Sequence, residues 1–392
     1  MRTGMPCQSN NHGEGGKMIV GETSHVVAHA VKLCRPKVFA VYPITPQTHI
    51  VEALAEHVAN GELDAEIIYA DSEHSMFSAI VGAYAAGVRA FTASSSQGLA
   101  LAHEVLHILS GMRLPAVFVA ANRALSAPIN IWGDHSDAMT SRDTSVMQFF
   151  AKNAQEAHDM VIQAYKIAEQ VNLPAMVNID GFNLSHLYEP VEAATQEQVD
   201  SYLPEFKPKF KLDPANPILM GPIGTPDNYM EIKHRQHLAM EHAREIIRKE
   251  MKSFKTVFGR DYRDGFVELY HTDRKTVLVA MGTLASTIED MIDNGADFGL
   301  LRIRTFRPFP HRDIRNALKS AEEVVVFDRA YSYGAGGPLY IETKSALYGT
   351  NKKVRNAIVG LGGREVSPSS ILKAVNSKED EVWVDNYDSW IA

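Results

Sequence analysis

The chain has 392 residues, of which 45% are hydrophobic and 22% are charged. These values are typical of a soluble globular protein, and at roughly 150 residues per domain the length predicts two or three domains. The net charge of −8 is not offset by a basic half of the chain. Nucleic-acid-binding proteins need a concentrated basic surface, so no nucleic-acid partner is expected.

Cysteine usage and hydropathy restrict the class of protein further. The two cysteines, Cys7 and Cys34, are too few for an iron–sulfur cluster or a four-cysteine zinc site. Such low usage is typical of a reducing compartment, and a cytoplasmic location is expected. No stretch reaches the roughly 18 apolar residues of a membrane helix, so no membrane contact is expected. Residues 1–17 lack the apolar segment of a signal peptide and are interpreted as a loose extension.

Short apolar strands alternate with helical segments in the first half of the chain. Strands are predicted at Val38–Tyr42, Glu66–Ala70, Val88–Ala93, Ala116–Ala121 and Ala175–Ile179. Helices are predicted between them, among them Thr48–Ala59 and Ala154–Gln170. This alternation is typical of strand–helix–strand units that form a parallel sheet.

The second half begins with a break in that pattern. Residues 182–226 are rich in proline and are predicted to be irregular, and a long charged helix is predicted over Asp227–Tyr262. Further strands are predicted at Val277–Met281, Gly299–Thr305, Glu323–Asp328, Asn356–Gly360 and Glu381–Val384. The sequence therefore predicts an α/β protein with two doubly wound parallel-sheet domains, at residues 18–264 and 265–392.

Polar residues follow the predicted strands of the first domain. They occupy Tyr42–Pro46, Asp71–Glu73, Ser94–Ser96, Asn122–Arg123 and Asp180–Gly181. Helix caps and turns use the same residue types. Ligands of open parallel sheets bind outside the carboxyl ends of the strands, however, and five such ends on one edge favour a binding site.

Two glycine-containing stretches have features of ligand sites. The loop Tyr333–Pro338 can hold an anion at a helix N-terminus, although a tight turn is the favoured interpretation. Residues Gly133–Asp137 look like the opening of a thiamine diphosphate metal site, but the asparagine expected further along is missing. No metal ligand is therefore predicted in this chain.

The stretch His103–His107 matches the H-E-x-x-H pattern on a predicted helix. That pattern can place two imidazoles on one helix face for zinc, with the glutamate as general base. No clear third ligand follows at the spacing of the known zinc peptidases. A zinc hydrolase is kept as the less favoured alternative.

Several stretches together resemble the alpha subunits of pyruvate:ferredoxin oxidoreductases, within the 2-oxoacid:ferredoxin oxidoreductase family. They are Tyr42–Pro46, Tyr69–His74, Thr92–Gly98, Ser110–Pro115, Ala121–Asn130 and Leu301–Pro310. The resemblance runs in order over about residues 18–392. It implies a pyrimidine-type thiamine diphosphate domain followed by a transketolase C-terminal-like domain.

The resemblance also implies cofactors and partners. Thiamine diphosphate would be shared with a beta subunit, which supplies the diphosphate and Mg²⁺ motif. The beta, gamma and delta subunits would carry the [4Fe-4S] clusters and pass electrons to ferredoxin. Coenzyme A would be the co-substrate.

The resemblance assigns roles to individual residues. Glu73 matches the catalytic carboxylate that hydrogen-bonds N1′ of the pyrimidine ring. Thr45 and Arg113 match substrate-binding residues, and a guanidinium suits bidentate binding of the substrate carboxylate. Further cofactor contacts are expected from Pro43, Ile44 and Ser95. Supporting or interface roles without catalytic function are expected for Asn122, Arg123 and Asp134.

The implied reaction is the reversible oxidative decarboxylation of pyruvate with coenzyme A to acetyl-CoA and CO2. Related oxalate enzymes carry arginine at the position of Thr45, so threonine argues against oxalate. A 2-oxoglutarate enzyme would need an additional cation. Branched-chain 2-oxo acids remain an alternative, since close relatives share most of the motifs.

Overall fold

A computed structural model describes residues 16–387. Its strands are β1 (Lys17–Glu22), β2 (Val38–Val41), β3 (Glu66–Tyr69), β4 (Ala90–Ser94), β5 (Val117–Asn122), β6 (Met147–Phe150), β7 (Ala175–Asp180), β8 (Tyr188–Ala193), β9 (Val267–Tyr270), β10 (Thr276–Ala280), β11 (Gly299–Ile303), β12 (Thr305–Arg307), β13 (Glu323–Asp328), β14 (Lys353–Ile358) and β15 (Glu381–Trp383).

The helices of the same range complete the two layers around each sheet. They are α1 (Thr23–Leu33), α2 (Thr48–Ala59), α3 (Glu73–Ala85), α4 (Ser96–Leu101), α5 (His103–Gly111), α6 (Ser136–Thr140), α7 (Ala154–Val171), α8 (Gln196–Tyr202), α9 (Tyr229–Phe258), α10 (Leu284–Asp293), α11 (His311–Ala317), α12 (Pro338–Ala346) and α13 (Pro368–Asn376).

The first sheet has seven strands in the order β12-β6-β7-β5-β4-β2-β3. All neighbours are parallel except β12, which is antiparallel to β6. Strands β4, β5 and β7 are buried along their whole length, which explains their continuous apolar sequences. The predicted parallel sheet is confirmed, and β6 is an additional strand that the sequence pattern did not show.

The direction of the chain reverses between β2 and β4. The connection from β2 leads to β3 on one side, whereas the connection from β4 leads to β5 on the other. Doubly wound sheets bind ligands in the crevice at such a switch point. The fold therefore places the crevice of the first domain outside the carboxyl ends of β2 and β4.

The second sheet has six strands in the order β15-β14-β13-β10-β11-β9. It is parallel except for β9, an unpredicted edge strand antiparallel to β11. Directly after β11, strand β12 leaves this sheet and joins the first one beside β6. Residues on both sides of the predicted boundary at 264/265 thus contribute to the first sheet.

The prediction that residues 182–226 are irregular is wrong for their first part. Strand β8 pairs with β1 in a separate two-stranded sheet, and α8 follows. A capping box formed by Thr195 and Gln198 starts α8. Pro190 is tolerated because a strand of a two-stranded sheet has a free edge.

The helix predicted over Asp227–Tyr262 is confirmed as α9, and Gly259 ends it in a left-handed conformation. Its buried stripe, including Ile247 and Phe254, packs in the core of the first domain. Within residues 16–387 no helix is long and apolar enough to cross a membrane. Lys17, assigned to the loose extension, instead begins β1, and residues 1–15 lie outside the described range.

Candidate active site

The crevice of the first sheet is lined by the segments that follow β2, β3 and β4. Glu73 begins α3, with Ser72 as N-cap accepting a hydrogen bond from the backbone N–H of Ser75. Because α3 connects β3 to β4 across the crevice, its first residue faces the end of β4. Glu73 is 6% exposed.

The Glu73 side chain lies against the turn that follows β4. A Cβ atom on Gly98 would collide with Ser94 Oγ and would lie 2.6 Å from Glu73 Oε1. Only a glycine at this position leaves room for the carboxylate. The turn and the glutamate are therefore packed as one unit.

Several polar groups in this unit lack hydrogen-bond partners. Glu73 has none in residues 16–387, and the buried Ser94 Oγ and Gln97 Nε2 are also unpartnered, whereas Gln97 Oε1 accepts from Ser96 Oγ. Buried polar groups are normally hydrogen-bonded, and a group left without a partner is costly. An unpaired carboxylate, hydroxyl and amide N–H group fit a polar heteroaromatic ring such as the aminopyrimidine of thiamine.

The segment after β2 forms the second wall of the crevice. Pro43 and Thr45 are exposed and Ile44 is half-buried. The backbone carbonyl of Thr45 accepts a hydrogen bond of 3.0 Å from Arg123 Nη1. The structure therefore brings Arg123, which follows β5, to Thr45 at the end of β2.

Arg123 is held firmly in this position. Its Nε donates to the carbonyl of Asn130 at 2.8 Å, and Nη2 has no partner within residues 16–387. Burial lowers the pKa of Arg123, against the opposing field of Asp137. A guanidinium fixed through two nitrogens and free at the third is suited to bind an anionic substrate.

Asp137 ties the turns after β4 and β5 together. Its carboxylate accepts hydrogen bonds from the backbone N–H groups of Ser96 at 2.8 Å and Arg123 at 3.0 Å. The side chain of Asn122 donates a third, at 3.1 Å. Burial raises the pKa of Asp137 to about 7 although these donors oppose the shift. Ser96, with φ of 47°, is held in the left-handed region by this contact.

Ser95 is fully buried, and its hydroxyl donates to the carbonyl of Ala121 at 2.7 Å. This bond joins the ends of β4 and β5. Its role toward a cofactor stays a prediction.

The structure does not bring Arg113 to the crevice. Arg113 precedes β5, so it lies at the amino edge of the sheet, opposite Glu73. Its Nε and Nη2 donate to the carbonyls of Asn172 and Val171, each at 2.8 Å, at the C-terminus of α7. The structure therefore places Arg113 away from the crevice in which its substrate contact is predicted.

Asp180, at the end of β7, turns away from the crevice and toward the second domain. It is 1% exposed, and it accepts hydrogen bonds from His135 Nε2 and Arg329 Nη1, both at 2.7 Å. The backbone N–H and the hydroxyl of Thr283 complete the cluster. Burial alone would raise the pKa of Asp180, but Arg329 and His135 hold it well below the usual range.

A second contact between the domains supports the crevice from outside. Asp134 Oδ2 accepts from the backbone N–H of Gly362 at 3.0 Å, and Asn130 Nδ2 donates to the carbonyl of Gly362 at 3.1 Å. Asn130 also accepts from Arg123, so the second domain stabilises the arginine indirectly. The supporting role predicted for Asp134 agrees with this geometry.

The glycine loop Tyr333–Pro338 is not open to a phosphate. The carboxylate of Asp328 already accepts from the backbone N–H groups of Leu339 and Tyr340 at the start of α12, at 2.8 and 3.0 Å. Burial raises the pKa of Asp328 to about 7. The protein itself thus supplies the anion at this helix N-terminus.

Among the described residues, no third metal ligand lies beside His103 and His107. The rings of His103 and His107 lie 5.1 Å apart, and Glu104 instead faces His74 at 3.8 Å. Among the described residues, the groups of three or more metal-ligating side chains do not include these histidines.

Comparisons with known proteins identify the family of the chain. Residues 29–252 match the family model "Pyruvate flavodoxin/ferredoxin oxidoreductase, thiamine diP-bdg", and residues 275–371 match "Pyruvate:ferredoxin oxidoreductase core domain II". The first match covers more than half of the chain. The chain belongs to this family. The predicted family and α/β fold are confirmed, and the crevice lies in the region that matches the thiamine diphosphate-binding model.

Curated relatives extend over nearly the whole chain. It is 51% identical to pyruvate synthase subunit PorA of Methanocaldococcus jannaschii, over 93% of this chain and 95% of that protein. It is 47% identical to the PorA of Methanothermobacter thermautotrophicus, over 91% and 94%. Ketoisovalerate oxidoreductase subunit VorA of Pyrococcus abyssi is 43% identical, over 89% and 90%.

A solved structure shows the same fold. It is the 2-oxoglutarate:ferredoxin oxidoreductase from Magnetococcus marinus with 2-oxoglutarate, coenzyme A and succinyl-CoA bound, with a TM-score of 0.67 and 16% sequence identity. The match covers 91% of this chain and 64% of that chain. At this identity the likeness shows the fold alone, and the chain spans less than two thirds of that protein.

Proposed function

We propose that this chain is the alpha subunit of a pyruvate synthase, which oxidatively decarboxylates pyruvate with coenzyme A and passes the electrons to ferredoxin. The observation that carries the proposal is the buried, unpartnered Glu73 packed against Gly98 and Ser94 at the switch point. The similarity to two PorA subunits over more than 90% of the chain supports pyruvate as the substrate.

Glu73 would bind the pyrimidine ring and hold a proton at its N1′. When bound, thiamine diphosphate supplies a nucleophilic carbon and an electron sink for decarboxylation. The wall formed by Pro43 and Ile44 would pack against the cofactor, and the buried Ser94 hydroxyl and Gln97 amide would be its hydrogen-bonding partners.

Arg123 takes the place of Arg113 as the proposed ligand of the substrate carboxylate. Its free Nη2 lies on the same guanidinium that donates to the Thr45 carbonyl, so Arg123, for which only a supporting role was predicted, is adjacent to the predicted substrate residue Thr45. The Thr45 hydroxyl would contact the substrate near its ketone. The charged hydrogen bond from Arg123 to the substrate carboxylate would contribute roughly 1.5–3 kcal/mol.

The remaining cofactors are proposed to reside on other subunits. Residues 16–387 offer one free cysteine, the buried Cys34, which cannot hold a cluster. Beta, gamma and delta subunits would supply Mg²⁺, the [4Fe-4S] clusters and the path to ferredoxin. Coenzyme A would bind with their help.

The test is an anaerobic assay of the complex purified through this chain. Reduction of a viologen dye is measured with coenzyme A and, in separate reactions, pyruvate, 2-oxoisovalerate, 2-oxoglutarate or oxalate. Reduction that requires both pyruvate and coenzyme A is expected. Preference for 2-oxoisovalerate would transfer the assignment to the branched-chain acids, as in the 43%-identical VorA.

A second observation distinguishes the family chemistry from the zinc alternative. The active complex should contain thiamine and iron, and chelation of zinc should leave its activity unchanged. An isolated chain that hydrolyses a substrate with bound zinc would contradict the proposal.

A further inference from the structure

Three ligand-type side chains from three separate segments converge beside the first sheet. Glu22 ends β1, His49 lies in the first turn of α2, and His186 lies in the turn between β7 and β8. One nitrogen or oxygen of each lies within 4.8 Å of those of the other two. His49 Nδ1 is 2.7 Å from Glu22 Oε1, and the ring centroids of His49 and His186 are 4.7 Å apart.

Glu22 is a nearly buried carboxylate with a single ion-pair partner among the described residues. Its side chain is 8% exposed, and among residues 16–387 its one ion-pair partner is His49, with no lysine or arginine beside it. A buried carboxylate without a full countercharge is unfavourable. A divalent cation at this point would supply that countercharge.

His186 is oriented by its neighbours. Its Nδ1 lies 2.7 Å from Ser185 Oγ, which also accepts a hydrogen bond of 2.9 Å from the backbone N–H of Phe182. When Nδ1–H donates to Ser185, the lone pair is on Nε2, the nitrogen available to a metal. Metal-binding histidines are usually fixed through the second ring nitrogen in this way.

The ligand types select the class of ion. Two imidazoles and one carboxylate suit divalent first-row transition metals, and zinc takes such ligands at about 2.0–2.2 Å. In a tetrahedral site these bonds place the ligand atoms about 3.4 Å apart, so the group closes with small side-chain rotations. His49 is 41% exposed, which leaves a path to solvent and room for a water as fourth ligand.

We propose that Glu22, His49 and His186 form a binding site for a divalent transition-metal ion such as Zn²⁺. The ion would join the β1–α1 corner to the start of α2 and to the turn between β7 and β8. Since His49 follows Thr45 by only four residues, the bound ion would stabilise the crevice edge without entering it. The site goes beyond the proposed function and differs from the expectation that this chain holds no metal ligand.

The test is a calorimetric titration of the full chain with Zn²⁺ after removal of metals by a chelator. One equivalent is expected to bind and to raise the melting temperature. Glu22→Gln and His186→Ala should each weaken that binding by more than 100-fold. Ser185→Ala should weaken it by roughly 10-fold, the scale of lost outer-shell support.

His242→Ala is the matched control, because His242 also lies near a carboxylate, Glu245 at 3.6 Å, without a third ligand. A Cys7→Ser, His12→Ala double variant removes two side chains outside the described range that could also bind Zn²⁺. Both controls should bind like the unaltered chain, and melting of the metal-free variants verifies their folding. No binding, or binding that persists in folded Glu22→Gln and His186→Ala, would overturn the proposal.

Discussion

The two sheets have the same doubly wound design, but their switch-point crevices are used differently. In the first sheet the crevice contains the Glu73 carboxylate, the Ser94 hydroxyl and Gln97 Nε2, which lack hydrogen-bond partners in residues 16–387. In the second sheet, the crevice between β10 and β13 is filled by Asp180 from the first domain, which accepts from Thr283 and Arg329. A Cβ on Gly282 would lie 2.7 Å from Asp180 Oδ1.

The difference shows how one architecture becomes a binding domain or a supporting domain. A crevice with unsatisfied polar groups gains free energy when a ligand pairs with them. In the second crevice the Thr283 and Arg329 Nη1 donors are already paired with an internal carboxylate, and of the Arg329 guanidinium only Nε lacks a partner among the described residues. Less free energy is therefore left to gain there. The second domain therefore packs against the first domain through Asp180, and the crevice of the first sheet is the one that we propose for the cofactor.

The largest expected effect is on catalysis by the first crevice. Glu73→Ala should reduce pyruvate-dependent viologen reduction by the assembled complex roughly 100- to 10,000-fold, the range for loss of a general acid–base group. Glu104→Ala, which removes an exposed glutamate, is the control. Assembly of both complexes should be unchanged, and full activity of Glu73→Ala would show that the carboxylate has no catalytic role.

The next effect concerns the filled crevice of the second sheet. Asp180→Asn should lower the free energy of unfolding of the chain by about 3–5 kcal/mol, since Arg329 would lose its buried countercharge. Urea unfolding measures this. The control is Asp64→Asn at an exposed ion pair with Lys37, for which unfolding should be measurably unchanged. A similarly small effect of Asp180→Asn would show that Asp180 does not stabilise the contact between the two domains.

The same carboxylate predicts a pH dependence. The folded-state pKa of Asp180 is below its unfolded value, so its stabilisation is present above the ordinary aspartate pKa. That stabilisation is lost as the pH falls from about 4 through the lower folded value. The unaltered chain should therefore lose more stability below about pH 4 than Asp180→Asn does. Parallel curves for the two proteins would exclude this contribution.

A smaller effect separates the two arginines on either side of β5. Arg123→Ala should raise the KM for pyruvate roughly 10- to 100-fold, the equivalent of one charged hydrogen bond. Arg113→Ala should leave KM unchanged and destabilise the chain by about 1–3 kcal/mol, because two carbonyls at the end of α7 lose their donor. The reverse pattern would restore Arg113 as the substrate ligand.

The smallest effect is expected at the H-E-x-x-H helix. His103→Ala and His107→Ala should change neither turnover nor zinc content, because these side chains have no third ligand in residues 16–387. Elemental analysis of the purified complex provides the measurement. Loss of both zinc and activity would support the alternative that the chain is a zinc hydrolase.

Local pattern was sufficient for much of the fold, whereas the role of Glu73 was inferred from the family resemblance and stays a prediction. The alternation of apolar runs and helices predicted the parallel strands, and the Asp-Ser-Glu-His context singled out Glu73 beside β4. Ligands bind outside the carboxyl ends of parallel strands, and this rule favours Arg123, which follows β5, over Arg113, which precedes it. The motif resemblance instead predicted Arg113, which the structure places at the C-terminus of α7, away from the crevice.

Other features depend on contacts between distant parts of the chain. Strand β12 pairs with β6 across more than 150 residues, and Asp180 meets Arg329 across 149. Strand β8 contains a proline and pairs with β1 at the other end of the domain. Neither periodicity nor composition carries information about such pairings, so these elements became visible only in the structure.

We propose that the first crevice, and not the second, binds the thiamine cofactor. A cryo-electron microscopy map of the assembled complex with thiamine diphosphate would distinguish the two crevices. We expect the pyrimidine ring against Glu73 and Ser94, with Asp180 still bonded to Arg329. A cofactor bound away from Glu73, or in a crevice that Asp180 has vacated, would exclude this assignment.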